Sequence, residues 1–211
     1  PCRQNSFAVV CERPFLPYSV AGAFAFSGLL VYVTSSPIIF MEVFQASAKQ
    51  FGAIFAGLSV GFIGSNQVNV LLLRRFSSEQ IFRGALLVEC PTTLLLLVGT
   101  WFGWFGLPAT LVLLFIALSS LGLAYPNAAA LALVPFSRNI GSASAMLGFL
   151  QIGISGLASA SIGIFDSKTM LPVALVFMAT SWIAFAILRF GKRFIPEVKF
   201  VEESGAVILP H

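Results

Sequence analysis

Charged residues are scarce in this sequence. Only 9% of its 211 residues are Asp, Glu, Lys or Arg, while 58% are hydrophobic. Soluble domains carry roughly 25% charged residues, and a water-soluble protein of this size could not cover its surface with so few. We therefore predict that lipid, rather than water, surrounds most of the chain.

Cysteine and histidine are also rare, which argues against several kinds of site. Cys2, Cys11 and Cys90 show no paired spacing and predict neither a disulfide framework nor a metal site. The single histidine, His211, is the last residue. The hydrophobic stretches contain no paired aspartates, HExxH motif or Ser/His set, as a membrane enzyme would need, and no ring of charges typical of a channel. We expect no enzymatic activity, no cofactor and no metal ion.

Six hydrophobic stretches reach the length of about 20 residues that a membrane-spanning helix requires. They predict an all-α membrane protein, with a six-helix bundle over residues 18–190. Residues 1–17 are expected to form a cytoplasmic loop or linker, and residues 191–211 a cytoplasmic tail. The predicted spans are Tyr18–Phe40, Gln50–Leu73, Ile81–Thr100, Leu107–Val134, Gly141–Phe165 and Met170–Phe190.

The basic residues fall mainly on one side of the predicted bundle. The richer side holds Arg3, Arg13, Arg74, Arg75, Arg83, Arg138, Arg189, Lys192 and Arg193. The other side holds only Lys49 and Lys168. An excess of Lys and Arg marks the cytoplasmic side, so both termini are predicted in the cytoplasm and the protein in the inner or plasma membrane. Because these residues are spread over loops, the net charge of +4 does not indicate nucleic-acid binding.

A weak internal repeat relates the first three predicted spans to the last three. The second and fifth are rich in glycine, the first and fourth carry a proline beside polar residues, and the third and sixth are smoother apolar segments. Inverted three-helix units of this kind build the halves of many transporters. The alternative is that small residues simply allow helices to pack closely.

Polar side chains inside the spans are candidates for a substrate cavity. Such groups are costly in a membrane and usually face the bundle interior or a water-filled cavity. The alternative for each is an ordinary hydrogen bond between helices. The candidates are Tyr32, Ser35, Ser36, Asn66, Gln67, Asn127, Gln151 and Ser155.

Glu89 is the one ionisable residue well inside a predicted span. It follows Arg83 by six residues, so it lies about 9 Å deeper at 1.5 Å per residue. A carboxyl group removed from water favours its neutral form, which suits a proton carrier. Glu89 is therefore a proton-path candidate. The alternative is a carboxylate that reaches toward the interface or is capped by a neighbour.

Four segments, in order, resemble a known family. They are Gly28–Phe44, Gly64–Phe76, Gly122–Leu133 and Gly141–Gln151. Together they are similar to the C-terminal half of the bicyclomycin-resistance (Bcr/CflA) type drug:proton antiporters of the major facilitator superfamily. The resemblance covers residues 18–193 and implies that the six spans are helices seven to twelve, one half of that fold, built as a 3+3 inverted repeat.

The resemblance implies a function as well as a fold: efflux of drugs or other small molecules by proton antiport with alternating access. It implies that the first, second, fourth and fifth spans line the cavity and that the third and sixth support it from outside. Asn69, Arg74 and Arg75 match a degenerate copy of the cytoplasmic loop motif of the superfamily, which would latch the inward-closed state. The proton-coupling acid of such antiporters belongs to the N-terminal half.

The partners expected are therefore the lipid bilayer, a small-molecule substrate, protons and an N-terminal six-helix half. Because the chain starts at Pro1 in a loop-like segment, we expect further sequence upstream. The alternative is a self-contained six-helix half-transporter that acts as a homodimer.

Overall fold

The computed structural model describes residues 15–136, 140–163 and 169–191. These residues form six helices with short connections and no strand, and all six are long and apolar enough to cross a membrane. The predicted all-α, six-helix class is confirmed. The helices are α1 (Phe15–Pro37, continued by a π-helical segment, Ile38–Val43), α2 (Ala48–Leu72), α3 (Ser78–Trp101), α4 (Leu107–Leu133), α5 (Ile140–Ile162) and α6 (Leu171–Gly191).

Two helices begin with the same local motif. Ser47 caps α2 and Ser77 caps α3, and in each case the glutamine three residues later returns a hydrogen bond to the backbone of the serine. These capping boxes satisfy backbone N–H groups that the first helical turn leaves without partners. As a result α2 and α3 begin two to three residues before the predicted Gln50 and Ile81.

The first helix extends into the predicted cytoplasmic loop. It begins at Phe15, whose ring is buried and meets Phe136 edge-on at 5.3 Å. Residues 15–17 are therefore helical rather than loop. The fifth span ends earlier than predicted, because α5 stops at Ile162 and Gly163 forms a turn.

Other sequence-based predictions concern residues outside the described ranges. They are Cys2, Arg3, Cys11, Arg13, Arg138, Phe165, Lys168, Lys192, Arg193, His211 and most of the two terminal segments.

The break in α1 has an identifiable cause. Pro37 has no backbone N–H, so the carbonyl of Val33 loses its helical partner. The Ser36 hydroxyl donates to that carbonyl at 3.0 Å. After Pro37 the chain continues as the wider π-helix to Val43. The Ser36 hydroxyl thus supplies a hydrogen bond to this carbonyl, which lipid cannot do because it has no donor in the hydrocarbon region.

Four helices form a closed ring, called the quartet here: α1 packs on α4, α4 on α3, α3 on α6, and α6 on α1. The remaining two form the lateral pair, since α2 packs mainly on α4 and α5 mainly on α1. In the most apolar stretch of each helix, 44–50% of the residues are buried in the quartet, against 22% in α2 and 11% in α5. The lateral pair therefore leaves most of its surface open.

Glycines allow the close helix crossings that hold this arrangement together. A Cβ added to Gly22 would meet Ala128 across the α1–α4 contact, and one added to Gly28 would overlap the ring of Phe177 on α6. A Cβ at Gly122 would collide with Ser65 and with the backbone of α2. Without strong hydrophobic attraction between helices in lipid, such close packing is a main source of stability.

Candidate functional site

The predicted cavity residues lie on four helices, α1, α2, α4 and α5, as expected from the polar pattern. Both helices of the lateral pair therefore contribute to the set, together with the two quartet helices on which they pack. The side chains of this set differ in burial and in hydrogen-bond partners, and these two properties determine which of them could contact a substrate.

A polar contact joins α4 to α5 through Gln151. The Tyr125 hydroxyl donates to Gln151 Oε1 at 2.9 Å, and both side chains are half-buried. The ring of Phe26, on α1, lies 4.7 Å from the ring of Tyr125. Phe26 and Tyr125 were not among the predicted site residues. Tyr125 could have been found from the sequence, because it directly precedes a proline within a span. Phe26 has no distinguishing pattern in a sequence with 22 phenylalanines.

A second polar contact joins α1 to α5. The Thr34 hydroxyl lies 3.4 Å from the Ser159 hydroxyl and also donates to the carbonyl of Leu30 at 2.8 Å. Thr34 is exposed and Ser159 is half-buried. These groups remain accessible beside Gln151, which lies two turns earlier on α5.

Two predicted cavity residues carry buried hydroxyl groups without a hydrogen-bond partner among the described residues: Tyr32 and Ser155. Tyr32 is 2% exposed and its ring stacks on Phe55 of α2 at 5.8 Å. Ser155 is fully buried on α5. Buried polar atoms usually find a partner, so both sites have capacity for a further polar group. Ser35, also buried on α1, lies between Thr34 and the Ser36 hydroxyl described above.

On α2 the three predicted amide side chains differ sharply. Asn69 is buried and its Oδ1 accepts a 2.6 Å hydrogen bond from Asn127 Nδ2 on α4. Asn66 donates to the carbonyl of Phe62 within its own helix at 3.0 Å, and Gln67 is exposed. Asn127 was predicted as a cavity residue and Asn69 as part of a loop latch. In the structure their amides contact each other between α2 and α4.

Arg74 and Arg75 follow the end of α2 and are exposed. They lie in the turn between α2 and α3, where Arg75 and Phe76 continue backbone hydrogen bonds to Leu72. Their role as a loop latch stays a prediction.

Glu89 lies apart from this set, between α3 and α6, and is fully buried. Its Oε1 is 2.7 Å from Ser181 Oγ, which is also 2.9 Å from the carbonyl of Phe177. A serine hydroxyl has only one proton to donate. The Ser181 hydroxyl therefore shares its proton between two acceptors, Glu89 Oε1 and the carbonyl of Phe177. Glu89 Oε2 has no hydrogen-bond partner among the described residues.

The described residues contain no group of three or more His, Cys, Asp or Glu side chains that could hold a metal ion. Cys90, next to Glu89, is buried, and its thiol lies 3.6 Å from the carbonyl of Ser181. This contact adds to the α3–α6 packing.

Comparison of the sequence with known proteins identifies two relatives of this chain. No family model matches the chain. The chain is 25% identical over 177 residues to an uncharacterized MFS-type transporter, YdgK, of Bacillus subtilis (strain 168), a match that covers 82% of this chain and 42% of that protein. It is 23% identical over 188 residues to a bicyclomycin resistance protein homolog of Haemophilus influenzae, covering 85% of this chain and 44% of that protein.

The chain thus spans less than half the length of the curated relatives it matches. The matches confirm the resemblance drawn from the four segments, and six membrane-length helices are what half of a major facilitator superfamily transporter contains. The described fold and these matches together are consistent with the C-terminal half.

Proposed function

We propose that this chain is the C-terminal half of a membrane transporter that exports drugs or other small molecules in exchange for protons. The substrate occupies a cavity between this half and an N-terminal six-helix half, and the two halves rock about it in alternating access. Bicyclomycin is the first substrate to test, because the name of one relative refers to it.

The open surface of the lateral pair is the observation that carries this proposal. Leu157 on α5 is 75% exposed, and Phe149 and Ile152 are each 70% exposed. On α2, Val60 and Ile63 are similarly open. Seven of the glycines in these two helices would meet nothing within 4 Å if they carried a Cβ: Gly52, Gly57, Gly64, Gly141, Gly148, Gly153 and Gly156. Small residues that no described helix approaches are suited to the close approach of helices from a second half.

The groups next to this surface suit an amphiphilic substrate. Phe26 and Tyr125 offer aromatic faces, and Gln151 and Thr34 offer hydrogen bonds from side chains that are not fully buried. The unpartnered hydroxyls of Tyr32 and Ser155 supply further polar capacity. A cavity with these groups is polar but nearly uncharged, so it favours neutral or weakly basic compounds over strong anions.

In this proposal the cytoplasmic side is the end of the bundle that carries Arg74, Arg75 and Arg83, following the positive-inside rule. Arg74 and Arg75 act as the latch of the inward-closed state, and the Asn69–Asn127 hydrogen bond fixes the helix end that carries them. The proton-coupling acid lies in the N-terminal half. Glu89 is the candidate within this chain if coupling proves to reside here.

Export is tested in cells that lack their own exporters and produce the complete transporter. Gln151→Ala should lower bicyclomycin resistance several-fold with the protein still present in the membrane, because it removes the polar group that Tyr125 contacts. Ile183→Ala, at an exposed position of α6, is the matched control and should keep resistance. A protonophore should abolish export. Export that continues without a proton gradient would contradict antiport.

The homodimer remains the second candidate, because the same open face could meet a second copy. Cross-linking of the chain produced alone separates the two. Leu157→Cys should form covalent dimers far more readily than Ile183→Cys if the lateral pair is a homodimer interface. Equal, weak cross-linking of both variants favours the two-half transporter.

A further inference from the structure

A groove runs along the side of the bundle where α2 and α3 both pack on α4 rather than on each other. Its volume is about 470 Å³. Leu72 and Phe76 form one wall, Gly84 and Val88 the second, and Phe115 the floor. None of the eight predicted cavity residues lines it, so the groove is separate from the proposed transport route.

The lining is almost entirely apolar, and two of its three polar members, Gln80 and Ser120, are already engaged. The Ser120 hydroxyl donates to the carbonyl of Ile116, and Gln80 accepts from the backbone N–H of Ser77. A second groove of about 370 Å³, which shares Phe115 and Ile116, continues along α2 and α4 toward the other end of the bundle. An apolar channel of this kind suits a hydrocarbon chain.

The length of the groove matches one leaflet. From Gln80 to Val88 the α3 wall rises about 12 Å at 1.5 Å per residue. Half of the hydrocarbon core of a bilayer is about 15 Å thick. The groove therefore begins at the membrane surface and ends near the midplane.

Positive charge is concentrated at the mouth of the groove. Arg74 and Arg75 lie between the lining residues Leu72 and Phe76, and Arg83 immediately precedes the lining residue Gly84. All three arginines are exposed. The one nearby acid of α3, Glu79, lies one helical turn before Arg83 on the same face of the helix, so the three arginines outnumber it at this end of the groove. Guanidinium groups bind phosphate through paired, charge-assisted hydrogen bonds.

We propose that this groove binds one anionic phospholipid of the cytoplasmic leaflet. Its phosphate lies on Arg83 and on the Arg74–Arg75 pair, and one acyl chain lies along Gly84 and Val88 against Phe115. Basic sites at the cytoplasmic ends of transmembrane helices are suited to anionic lipid headgroups. The combination of such a site with an adjoining apolar groove of leaflet length distinguishes a specific lipid from the general lipid shell.

Two variants test the two ends of the proposed site independently. Gly84 has open space around it, so Gly84→Leu fills the groove, and Leu is a better helix former than Gly. Arg83→Gln removes a headgroup contact at an exposed position. The matched controls are Gly52→Leu, which also adds a side chain in open space, and Arg189→Gln, an exposed arginine on α6.

The measurement is native mass spectrometry of the full chain, stripped of lipid and titrated with phosphatidylglycerol or with phosphatidylcholine carrying the same acyl chains. We expect phosphatidylglycerol to bind preferentially, and Gly84→Leu and Arg83→Gln each to weaken it by about tenfold, equivalent to about 1.4 kcal/mol. Both controls should bind as the unaltered chain does. Equal binding of the two lipids, or unchanged binding by Gly84→Leu and Arg83→Gln, would overturn the proposal.

Discussion

The quartet and the lateral pair both contain many glycines, but these glycines pack differently in the two groups. Gly22, Gly28 and Gly122 in the quartet are closed by neighbouring helices, whereas seven glycines of α2 and α5 are open. Both groups look alike in the sequence. The difference teaches that a small residue in a membrane helix indicates a close approach, but not whether the approaching helix belongs to the same chain.

Polar groups divide in the same way. Glu89 and Ser181, in the quartet, are fully buried and contact each other. Gln67, on the lateral pair, and Thr34, on the face next to it, remain exposed. We infer that polar groups inside the quartet stabilise the half, while those beside the lateral pair serve transport.

The largest expected effect comes from overpacking the crossing between α4, a quartet helix, and α2 of the lateral pair. Gly122→Ala would place a Cβ against the backbone carbonyl of Phe62, which a side-chain rotation cannot relieve. Overpacking of this kind costs about 1–3 kcal/mol, measured as a loss of thermal stability in detergent. In this chain produced alone, Gly153→Ala, at an open position of α5, is the control and should be neutral or slightly stabilising. Equal destabilisation by both would remove the distinction between closed and open glycines.

Removing a polar contact inside the quartet should have a somewhat smaller effect. Ser181→Ala leaves the fully buried carboxyl group of Glu89 without its partner, at a cost of about 1–2 kcal/mol. Ser161→Ala is the matched control, because the Ser161 hydroxyl contacts only its own helix, at the carbonyl of Ala158. Equilibrium unfolding in mixed detergent compares the two. A Ser181→Ala variant as stable as Ser161→Ala would show that Glu89 does not need this contact.

The bond that attaches the lateral pair to the quartet is expected to be weaker still. A double-mutant cycle on Asn69→Ala and Asn127→Ala should give a coupling energy of about 0.6 kcal/mol, the average for hydrogen bonds between transmembrane helices. Both side chains are buried and 2.6 Å apart, so the value should be above zero. Additive effects of the two substitutions would mean that this contact contributes nothing to the α2–α4 packing.

The sequence was sufficient for the number and type of helices, because each is a long apolar run. It was less informative about their ends. Residues 47–50 and 77–80 both read Ser-x-x-Gln, a capping signature that hydropathy alone overlooks. Phe15, the first residue of α1, packs on Phe136, a contact that the local sequence does not reveal.

The sequence predicts which helices carry the candidate site residues, but not which of these residues form hydrogen bonds with each other. Polar residues at helical spacing placed Gln151 and Ser155 on one face of α5, and α1 does pack against that helix. No local pattern indicates that Asn69 meets Asn127, because that contact depends on how closely α2 crosses α4 at Gly122. Likewise Ser36 reads as a cavity residue until the carbonyl freed by Pro37 is considered.

The smallest expected effect is that of Glu89→Gln, and it tests the division of roles most directly. The Gln amide oxygen can accept the hydrogen bond that Ser181 donates to Glu89 Oε1, so stability should change little. If Glu89 is structural, the pH dependence of transport by the complete protein should also stay unchanged, whereas Gln151→Ala lowers transport at every pH. Uptake measured in vesicles over a series of imposed pH gradients makes this comparison. If Glu89→Gln instead uncouples transport from the proton gradient, the proton path passes through the quartet, between α3 and α6, and polar groups buried there cannot be assigned to stability alone.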